Sequence, residues 1–375
     1  MLRILVVFGT RPEAIKMLPV VKALRERNTC SVGVVVTGQH REMLNQVFDV
    51  FGEKPDIDLN VMKPNQRLPE LTGAIISQMS AVLEADRPDL VLVHGDTTTA
   101  LATAMAALYS KVRIGHVEAG LRSFDLSQPW PEEFNRVTID AIADYLFAPT
   151  TVAADNLGRE YSRRGQIYVT GNTGIDALLH VSNRIDAEEM GASSPIEALD
   201  GIDPDRSLIL VTGHRRENFG AGFEGICQGI SRLAGRNDVQ VVYPVHLNPN
   251  VRDVVQTRLG SHPNVHLVPP VPYVDMVRLM KKSKIILTDS GGIQEEGPAL
   301  GRPVLVMRET TERPEALATG AVSLVGTDPD EIYNVASSLL DDEEYYQHRA
   351  KAVFPYGDGT ASIKIAGIIT ESLSA

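Results

Sequence analysis

The stretch Asp289-Ser290-Gly291-Gly292-Ile293-Gln294-Glu295-Glu296 follows Lys284-Ile285-Ile286-Leu287-Thr288. The β-branched apolar run reads as a buried parallel strand. Residues 294–300 read as a helix, stopped by Gly301-Arg302-Pro303. A strand that turns through Ser-Gly-Gly into a helix leaves backbone N–H groups unpaired at the helix start. Two glycines let an anion approach that backbone, and the helix dipole favours negative charge there. Ser290 can cap the helix or donate to a phosphate. Glu296, about one turn in, can accept both hydroxyls of a ribose. A turn that needs glycine only for its geometry explains the same residues, so the rest of the chain has to decide.

Working outward, apolar strand-like runs alternate with amphipathic helical windows, the pattern of a doubly wound parallel sheet. Strands are expected at residues 2–8, 31–37, 90–94, 112–117, 145–148 and 166–169. A second series is expected at 207–212, 239–245, 264–268, 284–288, 303–307 and 321–325. Between them, residues 186–206 are polar and rich in turn formers, which places a domain boundary within about 171–205. The length of 375 residues also favours two α/β domains. The expected division is 1–170 and 171–357, with a closing helix over 358–375.

Composition narrows the function classes. A net charge of −12 argues against a nucleic-acid surface, so a phosphate site has to be a local basic pocket in an acidic chain. Cys30 and Cys227 provide neither a disulfide framework nor a cysteine metal site. The first strand is too short for a signal-peptide core and no apolar run approaches membrane-spanning length, so a cytoplasmic enzyme is expected. Gly220-Ala221-Gly222-Phe223-Glu224-Gly225 matches a dinucleotide fingerprint in letters alone. It lies well past its strand, and the next strand ends in Pro244-Val245-His246 rather than an acid. The nine histidines contain no pair at HExxH-like spacing, so no metal is expected.

Ligands of open α/β sheets bind beyond the carboxyl ends of strands, and that is where the unusual residues fall. After the first strand, Thr10 can cap a helix and Pro12 and Glu13 suit its first turn. Arg11 and Lys16 oppose the dipole there, which suggests an anion nearby, although two solvated charges explain them equally well. Asp96, Glu118 and Glu132 each follow a strand or open a helix. Each alone is ordinary, but three carboxylates on one cleft edge can divide acid and base work. Arg136 lies one turn past Glu132. His214, flanked by Arg215 and Arg216, reads as a hydrogen-bond donor or proton carrier rather than a metal ligand. Arg313 opens a further helical turn.

Several long motifs then stand in one order: FGTRPEAIKM at 8–17, HGDTTT at 94–99, GHVEAGLR at 115–122, PWPEEFNR at 129–136, TGHRREN at 212–218, DSGGIQEE at 289–296 and TTERPE at 310–315. Together they closely resemble the non-hydrolysing UDP-N-acetylglucosamine 2-epimerases, nearly end to end. The resemblance implies two Rossmann-like domains of the glycosyltransferase-B type, with the last helix returning to the first domain and the active site in the interdomain cleft. It implies reversible conversion of UDP-GlcNAc and UDP-ManNAc in a homodimer, without metal, nicotinamide or other cofactor. Such enzymes supply ManNAc donors for surface polysaccharides.

Carried over by motif, Asp96, Glu118 and Glu132 are the acid/base carboxylates, with His214 stabilising the diphosphate or moving a proton. Arg11, Ser290, Gly291 and Gly292 hold phosphates, Glu296 holds the ribose, and Lys16, Arg136 and Arg313 complete the polar lining. Gln39, His40, Arg215 and His246 resemble the surface on which some bacterial members bind a second UDP-GlcNAc as activator. Two positions depart from relatives: Asn65, where some carry arginine, and Met276, where an aromatic residue often stands near uracil. The competing readings are the hydrolysing epimerase, a glycosyltransferase and a non-catalytic nucleotide-sugar sensor. The PEAIKM run argues against the first. The set of carboxylates argues against the other two.

Overall fold

Parallel strands need long crossover connections, and helices supply them throughout this chain. The computed structural model describes residues 1–38, 41–63, 66–160, 164–190, 202–311 and 313–374. Its first unit comprises Met1–Leu179 with Tyr356–Ala375, and its second His180–Pro355.

The first unit contains strands β1 (Leu2–Phe8), β2 (Cys30–Val36), β3 (Ile57–Asp58), β4 (Leu90–His94), β5 (Arg113–Val117), β6 (Tyr145–Ala148) and β7 (Gln166–Val169). Helices α1 (Arg11–Arg25), α2 (Arg41–Phe51), α3 (Leu68–Asp86), α4 (Thr98–Tyr109), α5 (Glu132–Ile142), α6 (Thr151–Gly158) and α7 (Thr173–Asp186) connect or follow them. The sheet is parallel, in the order β3-β2-β1-β4-β5-β6-β7. The order reverses between β1 and β4, so the loops leaving those two strands diverge and open a crevice at their carboxyl ends. Helix α1 starts there because Thr10 and Glu13 form a reciprocal capping box with Pro12 in the first turn. Leu5, Val7, Val91 and Val93 pack on one sheet face against Ile75, Met79, Ala100 and Ala104. The alanines of α4 let that helix lie close to its neighbours.

The second unit repeats the plan. It contains β8 (Ser207–Thr212), β9 (Val239–Pro244), β10 (Val265–Val268), β11 (Ile285–Thr288), β12 (Val304–Val306) and β13 (Val322–Leu324). Its helices are α8 (Ala221–Ala234), α9 (Pro249–Leu259), α10 (Tyr273–Lys282), α11 (Gly291–Ala299), α12 (Pro314–Ala318), α13 (Pro329–Asp341) and α14 (Glu343–Arg349). The parallel order β10-β9-β8-β11-β12-β13 places the switch between β8 and β11. Phe223, Ile226 and Ile230 of α8 and Ile332 and Leu339 of α13 bury against Ile209, Val211, Val241 and Leu287.

The closing helix α15 (Ala361–Ser374) belongs to the first unit and packs on α1. Asp176 near the start of α7 accepts the backbone N–H groups of Ala361 (3.3 Å) and Ser362 (2.7 Å), filling two of the orphan donors at its N-terminus. The units divide at Leu179/His180, within α7, and at Pro355/Tyr356, against the expected 170/171 and 357/358.

Most expected strands are present within about a residue at each end. Two expectations need correcting. The two-residue β3 was missed, since so short a run has no period to read. The helix expected at 294–300 begins at Gly291, because the chain turns helical directly after Ser290. Among the described residues, no helix is long and apolar enough to cross a membrane.

Candidate active site

In the first unit, the loops after β1 and β4 are tied by one buried carboxylate. Glu13 is 2% exposed, and its Oε2 accepts Thr10 N (2.8 Å) and Gly9 N (3.1 Å). Its Oε1 accepts the Thr97 hydroxyl at 2.7 Å, while Thr97 caps α4. Burial raises the Glu13 carboxyl above its ordinary range, and these hydrogen bonds pull it part of the way back.

Glu118 follows β5 with a left-handed backbone, φ 68°, unusual for a residue with a side chain. Lys16 of α1 forms an ion pair with its Oε2, and Asn172 Nδ2 donates to the same oxygen at 3.4 Å. His94 Nε2 lies 3.7 Å from that oxygen. His94 is held neutral: burial pushes its pKa down to about 3, Lys16 adds to the shift and Glu118 opposes it.

Asp96, two residues past β4, pairs through its carboxylate with Arg136 of α5, while Asn135 Nδ2 donates to its carbonyl at 2.8 Å. Arg136 also reaches Glu133 at 3.4 Å. Glu133 is buried, and its Oε1 accepts the N–H groups of Ser123 and Phe124, each at 3.0 Å. Its neighbour Glu132 is half-buried and has no hydrogen-bond or ion-pair partner among the described residues. Arg11 is half-buried at the start of α1, also without an anionic partner among the described residues. Burial lowers its pKa, as expected for a cation removed from water with no compensating charge.

The second unit is organised around Asp289, which is fully buried at the end of β11. Its carboxylate accepts His214 N (2.9 Å), Arg215 N (2.8 Å) and Asn218 Nδ2 (3.4 Å), all from the loop after β8. His214 Nδ1 lies 3.3 Å from Asp289, and its ring stacks on His246 at 5.5 Å. Burial lowers the pKa of His214, Arg215 and His246 push the same way, and Asp289 opposes them.

Ser290 occupies the N-cap position of α11, but its side chain makes no capping bond, which corrects one of its two expected uses. Its backbone N–H donates to the Thr288 hydroxyl at 2.9 Å. A Cβ on Gly291 would lie 2.7 Å from the Arg313 guanidinium carbon, whereas nothing stands within 4 Å of one on Gly292. Arg313 Nε donates to Glu295 at 2.8 Å, and Tyr273 donates its hydroxyl to Glu296 at 3.0 Å.

The structure therefore brings Asp96 and Glu118 to neighbouring strand ends and His214 beside the Ser-Gly-Gly turn. Lys16, Arg136 and Arg313 each meet a carboxylate of their own unit. Gln39, His40 and Asn65 lie outside the described residues. Sequence reasoning missed Asp289 and Glu133 as organising groups. An acid directly at a strand end was a readable signal for Asp289. Nothing separates Glu133 from Glu132 in sequence, since one residue on a helix turns the side chain by about 100°.

Comparison with known proteins decides the family. The family model described as UDP-N-acetylglucosamine 2-epimerase matches residues 22–370. The UDP-N-acetylglucosamine 2-epimerase of Escherichia coli (strain K12) is 52% identical over 365 residues, 97% of each chain. The chain belongs to the UDP-N-acetylglucosamine 2-epimerase family. Among solved structures, the Neisseria meningitidis epimerase bound to UDP-GlcNAc matches with a TM-score of 0.89 and 48% identity over the full length of both chains. The Methanocaldococcus jannaschii epimerase in complex with UDP-GlcNAc and UDP matches at 0.81 and 32%, covering 99% of this chain and all of that one. A glycosyltransferase from Rickettsia africae shares the fold at 0.64 and 14% identity, covering 99% and 98% of the two chains.

Within this family member, neutral His94 has a consequence for acid stability. As pH falls below 6.5 the unfolded chain takes up a proton that the folded chain refuses until about pH 3. Stability is therefore lost progressively across that window, by on the order of a few kcal/mol at its acid end. His94→Asn is expected to make the fall of Tm between pH 6.5 and 4 shallower, as read by thermal melts. An unchanged slope would show that His94 does not stay neutral.

Proposed function

We propose that the chain catalyses reversible C2 epimerisation of UDP-GlcNAc and UDP-ManNAc by elimination and re-addition of UDP. The observation that carries this reading is the pair of carboxylates, Asp96 and Glu118, on adjacent strand ends, each beside a cation. The C2 hydrogen is not next to a carbonyl, so direct deprotonation is very difficult. If one carboxylate takes that proton as the C1–O bond to UDP breaks, the electron pair forms the C1=C2 double bond of 2-acetamidoglucal. Re-addition of the UDP oxygen at C1, with a proton delivered to the other face of C2, completes the inversion. This anti elimination needs an acid and a base on opposite faces, and donors and cations for the departing diphosphate.

Glu132 is the third candidate carboxylate, with no hydrogen-bond or ion-pair partner among the described residues. In the second unit, Ser290, Gly291 and Gly292 at the start of α11 suit a diphosphate, and His214 stands on the adjacent loop. Arg11, half-buried without an anionic partner among the described residues, supports a phosphate role. Glu296 and Tyr273 suit the ribose. The relatives crystallised with UDP-GlcNAc or UDP support a nucleotide-sugar substrate. The PEAIKM run at 12–17 supports the non-hydrolysing subtype. The family resemblance extends the proposal to a homodimer without cofactor that supplies ManNAc donors for surface polysaccharides, and the lack of a long apolar run in the sequence extends it to a cytoplasmic one.

Incubation with UDP-GlcNAc in deuterated water, followed by proton NMR, is expected to yield UDP-ManNAc carrying deuterium at C2. Free ManNAc with UDP would instead establish hydrolysis. A sugar left unchanged despite binding would indicate a transferase or a sensor.

Asp96→Asn and Glu118→Gln are each expected to lower kcat by about 10²–10⁴, the usual weight of a proton-transfer group. Retention of more than a tenth of the activity in either variant would remove that residue from the mechanism.

A second UDP-GlcNAc as activator is also proposed. Its support is the exposed stack of His214 on His246 beside Arg215. Rates with UDP-ManNAc alone are then expected to be sigmoidal in substrate and to rise when UDP-GlcNAc is added. A hyperbolic curve indifferent to UDP-GlcNAc would exclude activation.

A further inference from the structure

His116 and Arg122 belong to the GHVEAGLR stretch at 115–122, yet the reading above uses neither. His116 is fully buried on β5. Its Nε2 lies 2.7 Å from the carbonyl oxygen of Gly95, and its Nδ1 lies 2.6 Å from Asp140 Oδ1 on α5. A carbonyl oxygen only accepts, so Nε2 carries the hydrogen. Asp140 is fully buried as well, and its Oδ2 takes the Gly120 N–H at 3.1 Å and Arg122 at 2.7 Å. Arg122 closes on Glu160 through two bonds of 2.6 and 2.9 Å.

The cluster touches all three carboxylate-bearing segments. Gly95 precedes Asp96, has φ 61°, and donates its N–H to Val117 at 2.9 Å. Strand β5 thus holds both backbone polar groups of Gly95. Gly120, two residues past Glu118, has φ 86°, and a Cβ there would lie 2.3 Å from the Ala153 carbonyl. Asp140 lies one helical turn past Arg136, the cation paired with Asp96, on the helix that Glu132 opens. Burying these charges is expensive, and a packed apolar cluster would serve stability at least as well. Geometry is what the network supplies.

We infer that His116, held by Asp140, is a positioning residue that fixes the turn carrying Asp96 against the segment carrying Glu118. Its effect on turnover rests on Asp96 and Glu118 being the proton-transfer groups, whereas its hold on Gly95 does not. Loosening such a turn misplaces a reacting group by a fraction of an ångström, which costs about ten- to hundredfold in rate.

The full-length protein labelled with ¹⁵N-histidine, without substrate, reads the hold directly. A slowly exchanging hydrogen on His116 Nε2 is expected, and an Nε2 without one overturns the inference. This signal stands even if the wild-type protein proves to have no epimerase activity, so the two failures are distinguishable. In His116→Asn the amide nitrogen reaches toward Asp140 and leaves Gly95 unheld. In His116→Gln it reaches the Nε2 position. The Asn variant is expected to lose about ten- to hundredfold in kcat with KM for UDP-GlcNAc within about twofold, and the Gln variant to recover about tenfold of that loss. Wild-type kcat in the Asn variant, equal losses in both, or a loss confined to KM would overturn it. Should the Asn variant fail to fold, the wild-type ring signal decides alone.

Discussion

A carboxylate taken out of water must have its lone pairs filled, and each unit uses one such group at the point where its sheet changes direction. Glu13 accepts from the loop after β1 and from Thr97 after β4. Asp289 stands at the end of β11 and accepts two backbone N–H groups and an amide from the loop after β8. The strand order opens the crevice, and the buried acid then sets the positions of the two loops that border it. Without such an anchor, two diverging loops would have no reason to hold one conformation, because neither can be completed by the sheet ladder.

Charge pairing follows from that placement. Lys16 projects from the helix that Glu13 caps and meets Glu118, while Arg136 meets Asp96. Each carboxylate therefore stands beside a cation in a partly buried setting, where an ionised acid is otherwise costly. Neutral His94 packs beside one of these pairs without adding a charge. Arg11 contrasts with Lys16 and Arg136, since among the described residues its burial meets no compensating carboxylate. In the second unit, His214 is drawn toward Asp289 through its backbone more firmly than through its ring. That leaves the imidazole about two-fifths exposed and stacked on His246.

Much of this was legible beforehand, for physical reasons. Buried parallel strands must be apolar on both faces, so they stand out as short runs, and their ends mark where polar residues acquire meaning. That is why Asp96, Glu118, His214 and the Ser-Gly-Gly turn stand out in the sequence. The motif order was long enough to name the family, and the matched residues 22–370 agree with it. The reading was weaker where a residue's role depends on what lies across space. Lys16 reads as a cation with an anionic ligand nearby, yet it pairs with a carboxylate 102 positions away. Ser290 reads as a cap, but its side chain makes no capping bond.

By itself, then, the sequence determined the alternation of strand and helix, the two-sheet architecture and the family. Periodicity and strand-end chemistry are local properties, and local properties survive in a string of letters. Only the tertiary structure decided that Glu133 rather than Glu132 is the buried member of that pair. It alone showed that Asp289 and Glu13 are organising acids, and that His116 and Asp140 lie in one chain of hydrogen bonds with Gly95 and Gly120. Those facts depend on which donors surround a buried acceptor, and several of those donors come from far along the chain, as Thr97 does for Glu13 and His214 for Asp289. The cost of leaving a buried polar group unpaired is what selects such partners, and it is incurred only once the chain has folded.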